Sequence, residues 1–299
     1  MIKAGILGPK GLNSPLRKQL LRLLLRHPDV DLRTVAAEGA DGIPLSELHP
    51  VYSGETDLRL EAAPTLDGLD ALFVIDAENL TDEIRRKAET DPKFRLIVLG
   101  EADELRKAPW PEMVYGFCEH NRKALVRGAR LAVSPTAEAL LVETALFPLA
   151  KNWMLPESGT IRGTISAGYS TDTTEAVAAL GTIQGSFKSE ISLREGADAP
   201  YDRMDLTLEV PLRDGMHDIL QAYEDAYSDH GFVYTVGAGV DTDSEDLRGS
   251  NKCLLKITRS ESGVTIRATA DYMTRGNAGN GVHLMNLLFG LHERTGLSI

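Results

Sequence analysis

The feature that most constrains this chain is the order of apolar runs in its first 133 residues. Met1–Leu7 is a short apolar run that ends in glycines. Leu16–Arg26 has helical spacing and stops at His27-Pro28, and Asp31–Ala37 is a second apolar run. Leu69–Ile75 and Phe94–Leu99 follow, separated by the charged helical stretch Thr81–Thr90, and Ala129–Val133 is one more short strand. Short runs that are apolar throughout are strands buried on both faces. Strands alternating with helices imply a parallel, doubly wound sheet, which binds ligands at the carboxyl ends of its strands.

The first turn carries the most chemistry. Gly5, Gly8 and Gly11 sit three apart and Ser14 continues the spacing. Strand, glycine turn, helix, strand is the unit that holds a dinucleotide pyrophosphate on a helix N-terminus, the Rossmann-type arrangement. The same turn also serves as a plain β–α connection. Glu38 ends the second strand. A carboxylate there accepts from a ribose 2′-hydroxyl and repels a 2′-phosphate, which favours NAD over NADP; the other reading is a solvated loop carboxylate.

Ser134-Pro135-Thr136-Ala137-Glu138 opens the next helix, expected from Thr136 to about Ala150. Ser134 suits an N-cap and Pro135 the first helical position. Ala137, Leu140, Leu141, Thr144 and Ala145 share a helical face. Such a helix start is an anion site. Beyond it, Thr160–Ser166, Met204–Val210, Phe232–Val236, Lys252–Thr258 and Val264–Tyr272 read as strands. His217–Tyr227 reads as an amphipathic helix, Gly281–Gly290 as a final helix, and Ser186–Arg203 as a polar loop. This half is therefore α+β with a mostly antiparallel sheet.

A formal charge of −12 with no basic stripe argues against nucleic acid as a partner. Cys118 and Cys253 are the two cysteines, which is neither a disulfide framework nor a metal site. MIKAGILG lacks a signal-peptide layout, and no apolar run has membrane-helix length, so a cytoplasmic protein is expected.

Several stretches resemble one family, N-acetyl-γ-glutamyl-phosphate reductase, of the aspartate-semialdehyde dehydrogenase group. They are the GILGPKG turn, LLRLLLRHPDVDL, PLSELHP at 44–50, VYGFCEHNR at 114–122, RGSNKC at 248–253 and DYMTRGNAGNGVHLMNLLFGLHERTGL at 271–297. The resemblance implies a Rossmann-type domain over 1–133, joined by the C-terminal helix 277–299. It also implies an α+β substrate and oligomerisation domain over 134–276, and a homo-oligomer, dimer or tetramer. Family enzymes reduce an acyl phosphate to an aldehyde with NADPH. A cysteine thiolate at a helix start attacks and a histidine loop assists proton transfer.

The pattern breaks at the centre. The family's Asn-Pro-Gly-Cys falls on Ser134-Pro135-Thr136-Ala137, so Ala137 stands at the position of the nucleophile. The histidine loop should fall between about Ser186 and Met204, yet no histidine lies between His120 and His217. Ser14 replaces the fourth glycine, and Glu38 stands where the family reads phosphate with an arginine. Three losses in one site point to altered or absent chemistry. Cys118 with His120 is a candidate relocated nucleophile and base, against a plain loop cysteine; Cys253 reads as strand core. Gly276–Gly281 resembles the family loop that closes on the nicotinamide end, which makes Gly279 and Asn280 cofactor candidates, or else a helix-entry loop needed for packing. Ser134, Arg248 and Arg275 are candidates for an anionic substrate. His283 and Asn286 lie three apart but lack companion ligands, so no metal is expected. Three readings result: a degenerate reductase kept for dinucleotide or metabolite binding or partnering, an active NAD(P)-dependent oxidoreductase of the semialdehyde dehydrogenase type, or a structural subunit.

Overall fold

The computed structural model describes residues 1–103, 105, 110, 112–212, 218–242, 245–259 and 263–298. The chain forms two compact units, Met1–Ser134 with Asn277–Leu297, and Pro135–Gly276 with the chain end.

The first unit is built on a parallel sheet of seven strands: β1 (Ile2–Leu7), β2 (Val30–Ala36), β3 (Leu60–Glu61), β4 (Ala71–Ile75), β5 (Arg95–Leu99), β6 (Met113–Tyr115) and β7 (Leu131–Val133). Their order is β3-β2-β1-β4-β5-β7-β6, with every pairing parallel. The chain winds outward from β1 in both directions, so the β1/β4 junction is the switch point where such sheets take ligands. β4 (ALFVI) is buried at every position, which is why it reads as a continuous apolar run. Its Leu72 and Val74 face packs with Leu7, Ile84, Phe94, Val98 and Leu131.

Helix α1 (Pro15–Leu25) follows β1 and buries Leu20, Leu21, Leu23 and Leu24. A single turn, α2 (Leu45–Leu48), lies in the PLSELHP stretch. Helix α3 (Asp82–Thr90) starts at Thr81, whose hydroxyl accepts from the Ile84 N–H at 3.3 Å. Helix α4 (Cys118–Val126) lies between β6 and β7. The last helix of the chain, α8 (Gly279–Leu288), belongs to this unit and is buried on all sides, against β5, α4 and α1. At Gly281 a Cβ would lie 2.9 Å from the Leu99 side chain, so glycine lets α8 sit down on β5. Asn286 then fixes the tail: its amide donates to the carbonyls of Glu293 and Thr295, and its oxygen faces His27 Nε2 at 3.0 Å.

The second unit holds a six-stranded sheet: β8 (Thr160–Ile165), β9 (Glu190–Glu195), β10 (Arg203–Pro211), β11 (Val233–Val236), β12 (Cys253–Arg259) and β13 (Gly263–Asp271). The order is β11-β12-β13-β10-β8-β9. The four central strands pair antiparallel, and the edge strands β11 and β9 run parallel to their neighbours. Helices α5 (Ala137–Lys151), α6 (Thr174–Ile183) and α7 (Ile219–Tyr227) complete the unit, with α5 against β13, α6 and α7. Pro148 inside α5 has no N–H for the Thr144 carbonyl. Tyr227 donates its hydroxyl to that carbonyl at 2.6 Å, and Tyr223 donates to the Ala145 carbonyl at 2.6 Å.

Two local expectations are corrected. Ser186–Arg203 is not all loop, because Glu190–Glu195 forms β9; the outward charges of an edge strand hide its pattern. Helix α6 is a further element, absent from the elements read from the sequence. His217, at the start of the expected amphipathic helix, lies outside the described residues, and the helix itself begins at Ile219. Among the described residues no helix is long and apolar enough to cross a membrane.

Candidate functional site

In the first unit the candidate residues gather at the carboxyl end of β1. Gly8 has φ +78, and a Cβ there would lie 2.8 Å from the Ile75 carbonyl oxygen and 2.9 Å from Asn79 Nδ2, so only glycine fits. Gly11 lies further along the turn, where nothing comes within 4 Å of a Cβ position, so the turn faces open space. Gly5 lies inside β1 and packs on Thr34, which makes it a sheet glycine rather than part of the turn. Ser14 is the N-cap of α1: its hydroxyl accepts from the Arg17 N–H at 3.1 Å. That bond explains Ser14 without a ligand. Glu38 is exposed two residues beyond β2, where the fold puts a ribose-reading carboxylate. Open turn, close-packed Gly8 and exposed Glu38 fit a dinucleotide laid across the strand ends.

At the end of β7 the structure joins three more candidates, Ser134, Cys118 and Asn280. Asn280, wholly buried, donates to Ser134 Oγ at 2.9 Å and to the Gly116 carbonyl at 3.3 Å. Cys118 Sγ lies 3.7 Å from Asn280 Oδ1 and 3.7 Å from the Gly116 carbonyl. The Cys118 thiol is thus a buried donor in a closed network. His120 is exposed and two residues further along α4, where side chains do not face each other. Their spacing along α4 does not put Cys118 and His120 on one helical face. Asn280 is an internal clamp, and the stretch expected as a loop is helical: Thr274–Ala278 is a π-helical turn running into Gly279 and α8.

Ser134 does not cap α5. The cap is Thr136, whose hydroxyl accepts from the Ala139 N–H at 3.3 Å, and Pro135 lies before the helix. A residue preceding proline is held extended, and the Ser134 N–H continues the strand pairing to the Val98 carbonyl, so the helix begins two residues later. In the second unit, the start of α5 is met by a carboxylate. Glu175 Oε2 accepts the Thr136 hydroxyl at 2.7 Å and the Thr136 N–H at 3.2 Å. Glu138 accepts from the Ser170 N–H at 3.1 Å. Nearby, burial pushes the Tyr169 hydroxyl up to about 12, helped by Asp202, Tyr272, Asp271 and Glu138.

Ala137 is 2% exposed and lines a gap with Leu140, Thr144, Met204, Cys253 and Arg275 that is too tight for a water molecule. Arg275 is buried there and not presented to solvent. Arg248 is exposed, its guanidinium 5.6 Å from the Tyr201 ring centre. Cys253 is strand core at 0% exposure. His283 faces Glu293 at 3.3 Å rather than Asn286. Among the described residues no group of three His, Cys, Asp or Glu side chains could hold a metal ion.

Sequence reasoning missed Glu175, Asn280 as a clamp, and Arg17. Arg17 is wholly buried, and its guanidinium donates to the carbonyls of Pro9 (3.3 Å) and Leu12. An arginine at the third position of an otherwise leucine-rich helix was the available signal.

Comparison with known proteins bears on both units. No protein-family model matches the chain. It is 28% identical over 325 positions to N-acetyl-gamma-glutamyl-phosphate reductase of Phocaeicola vulgatus, covering 100% of this chain and 98% of that one. It is 29% identical over 325 positions to the same-named protein of Bacteroides thetaiotaomicron, with the same coverage. In Alkalilimnicola ehrlichii the identity is 29% over 347 positions, covering 99% of this chain and 98% of that one. Among solved structures, aspartate semialdehyde dehydrogenase II complexed with ASA from Vibrio cholerae superposes with a TM-score of 0.67 at 14% identity, over 97% and 98% of the two chains. Aspartate semialdehyde dehydrogenase with NADP from Candida albicans gives 0.68 at 11%, over 97% and 99%. Over its full length the chain is thus similar in sequence to N-acetyl-γ-glutamyl-phosphate reductases, and it shares the two-unit α/β fold of the aspartate semialdehyde dehydrogenases.

Proposed function

We propose that this chain is a reductase-family protein that has given up thiol-dependent acyl-phosphate reduction and is kept for binding a dinucleotide or an acidic metabolite, or for partnering. The observation that carries this reading is the start of α5. The first helical residue is Ala137, without a nucleophile, and Glu175 holds the Thr136 N–H that would otherwise greet an anion. A resident carboxylate there disfavours an acyl phosphate. The turn at Gly8 and Gly11 and the exposed Glu38 support retained dinucleotide binding, with NAD favoured over NADP. The family also supports a homo-oligomer, formed across the sheet of the second unit.

The second reading, an active NAD(P)-dependent oxidoreductase with altered residues, draws on the same open turn. One assay separates the two: N-acetylglutamate semialdehyde, phosphate and NAD or NADP are mixed with the protein, and absorbance of the reduced nicotinamide is followed. The degenerate reading expects no turnover in either the wild type or Cys118→Ala, with NADH still bound by fluorescence. Turnover abolished by Cys118→Ala overturns it and makes Cys118 a nucleophile.

A further inference from the structure

We propose that Arg17 is the positioning residue of the glycine turn, supplying from within it the positive charge that a diphosphate-bearing nucleotide needs at the start of α1. The inference rests on the nucleotide reading of the first unit. It begins with what the helix start lacks. Pro15 has no N–H, the Arg17 N–H is held by Ser14 Oγ, and the Lys18 N–H by the Ser14 carbonyl. Only the Leu16 N–H remains of the first four donors, a poor anion site for a helix of this kind.

Arg17 makes up the difference in two ways. Its guanidinium draws the Pro9 and Leu12 carbonyls toward itself. In a planar trans peptide the C=O and the following N–H point opposite ways, so the N–H groups of Lys10 and Asn13 turn away from the guanidinium. The charge itself is uncompensated. Among the described residues both of its protein partners are neutral carbonyls, its Nε is buried without a partner, and burial lowers its pKa with no carboxylate opposing. Lys18 and Arg17, after burial, also push His49 down. A buried guanidinium lacking a counter-ion favours an anion nearby.

The test is calorimetric titration of the full chain with adenosine, ADP, NADH and inorganic pyrophosphate. The wild type is expected to bind ADP and NADH at least about tenfold tighter than adenosine, a charge-assisted contribution. Arg17→Met should lose about that factor for ADP and NADH and leave adenosine unchanged, while Arg17→Lys, which keeps the charge, recovers most of it. A merely structural role would lower all ligands together and would not be rescued by lysine. Equal binding of adenosine and ADP by the wild type overturns the inference, as does an Arg17→Met variant that binds ADP like the wild type. Pyrophosphate binding as tightly as ADP overturns the nucleotide part. Should Arg17→Met fail to fold, Pro15→Ala decides. The residue is exposed, and the added N–H should tighten ADP severalfold and leave adenosine alone; no change overturns the placement of the diphosphate. A wild type that binds none of the four defeats the nucleotide reading itself.

Discussion

Glu175 holds the start of α5 twice, its Oε2 accepting the Thr136 hydroxyl at 2.7 Å and the Thr136 N–H at 3.2 Å. Replacing Glu175 with alanine removes two hydrogen bonds to a charged acceptor and a favourable charge at a helix N-terminus. The expected loss is about 1–3 kcal/mol by urea denaturation. Ala137→Cys is expected to show no acyl-phosphate reduction, alone or with Glu175→Gln. Position 137 is buried in a gap too tight for water, and the stretch 186–203 offers no histidine. Activity in either variant, read by nicotinamide absorbance, would show that the site is intact after all.

Cys118 is expected to react slowly with a neutral-pH disulfide reagent in the native protein and at the rate of an ordinary cysteine in denaturant. Its thiol is 1% exposed and sits between the Gly116 carbonyl and Asn280 Oδ1. Asn280→Ala removes the clamp on Ser134 and Gly116 and should cost about 1–3 kcal/mol. It should also speed native-state labelling of Cys118. Fast labelling in the wild type would return Cys118 to the list of nucleophiles.

Stability should fall as pH drops below about 6.5, the ordinary histidine value. His27 accepts from the Asp29 N–H through Nδ1 at 3.2 Å and faces Asn286 Oδ1 through Nε2 at 3.0 Å, which is the arrangement of a neutral ring protonated on Nε2. Burial lowers its folded-state pKa, and the bond to Asn286, Asp29 and Thr295 oppose this only in part. Below the unfolded value the unfolded chain therefore binds a proton that the folded chain does not. The His27 contribution is complete above that value and is lost as pH falls toward the folded one. Urea midpoints between pH 5 and 8 should slope less in His27→Gln than in the wild type. Equal slopes would remove His27 as the cause.

Tyr227→Phe should cost about 1–3 kcal/mol, since it strands the buried Thr144 carbonyl that Pro148 already leaves without a donor. In Pro148→Ala the amide returns to that carbonyl, and the same tyrosine change should cost less. A double-mutant cycle measures the difference.

The sheets were legible in the sequence because β4, β5 and β10 carry their burial in their letters, as continuous or alternating apolar runs. The start of α5 was legible to within two residues, and the error has a local cause: Pro135 holds Ser134 in the strand. What stayed hidden depends on distance along the chain. Asn280 meets Ser134 across 146 residues and Thr136 meets Glu175 across 39. No periodicity announces such pairs. Arg17 was hidden for another reason, because a charged residue in a helix reads as solvated unless its burial is known.

Because α8 lies inside the first unit, that unit cannot be finished by the part of the chain that begins it. On the ribosome, residues 1–134 emerge with Ser134, Gly116 and His27 still lacking Asn280 and Asn286. The whole second unit must be synthesised before those asparagines arrive. A fragment cut at Ser134 is therefore a sheet with one face of β5 uncovered, and a chain stopped before Asn277 leaves the nucleotide-type unit open however well the second unit has folded.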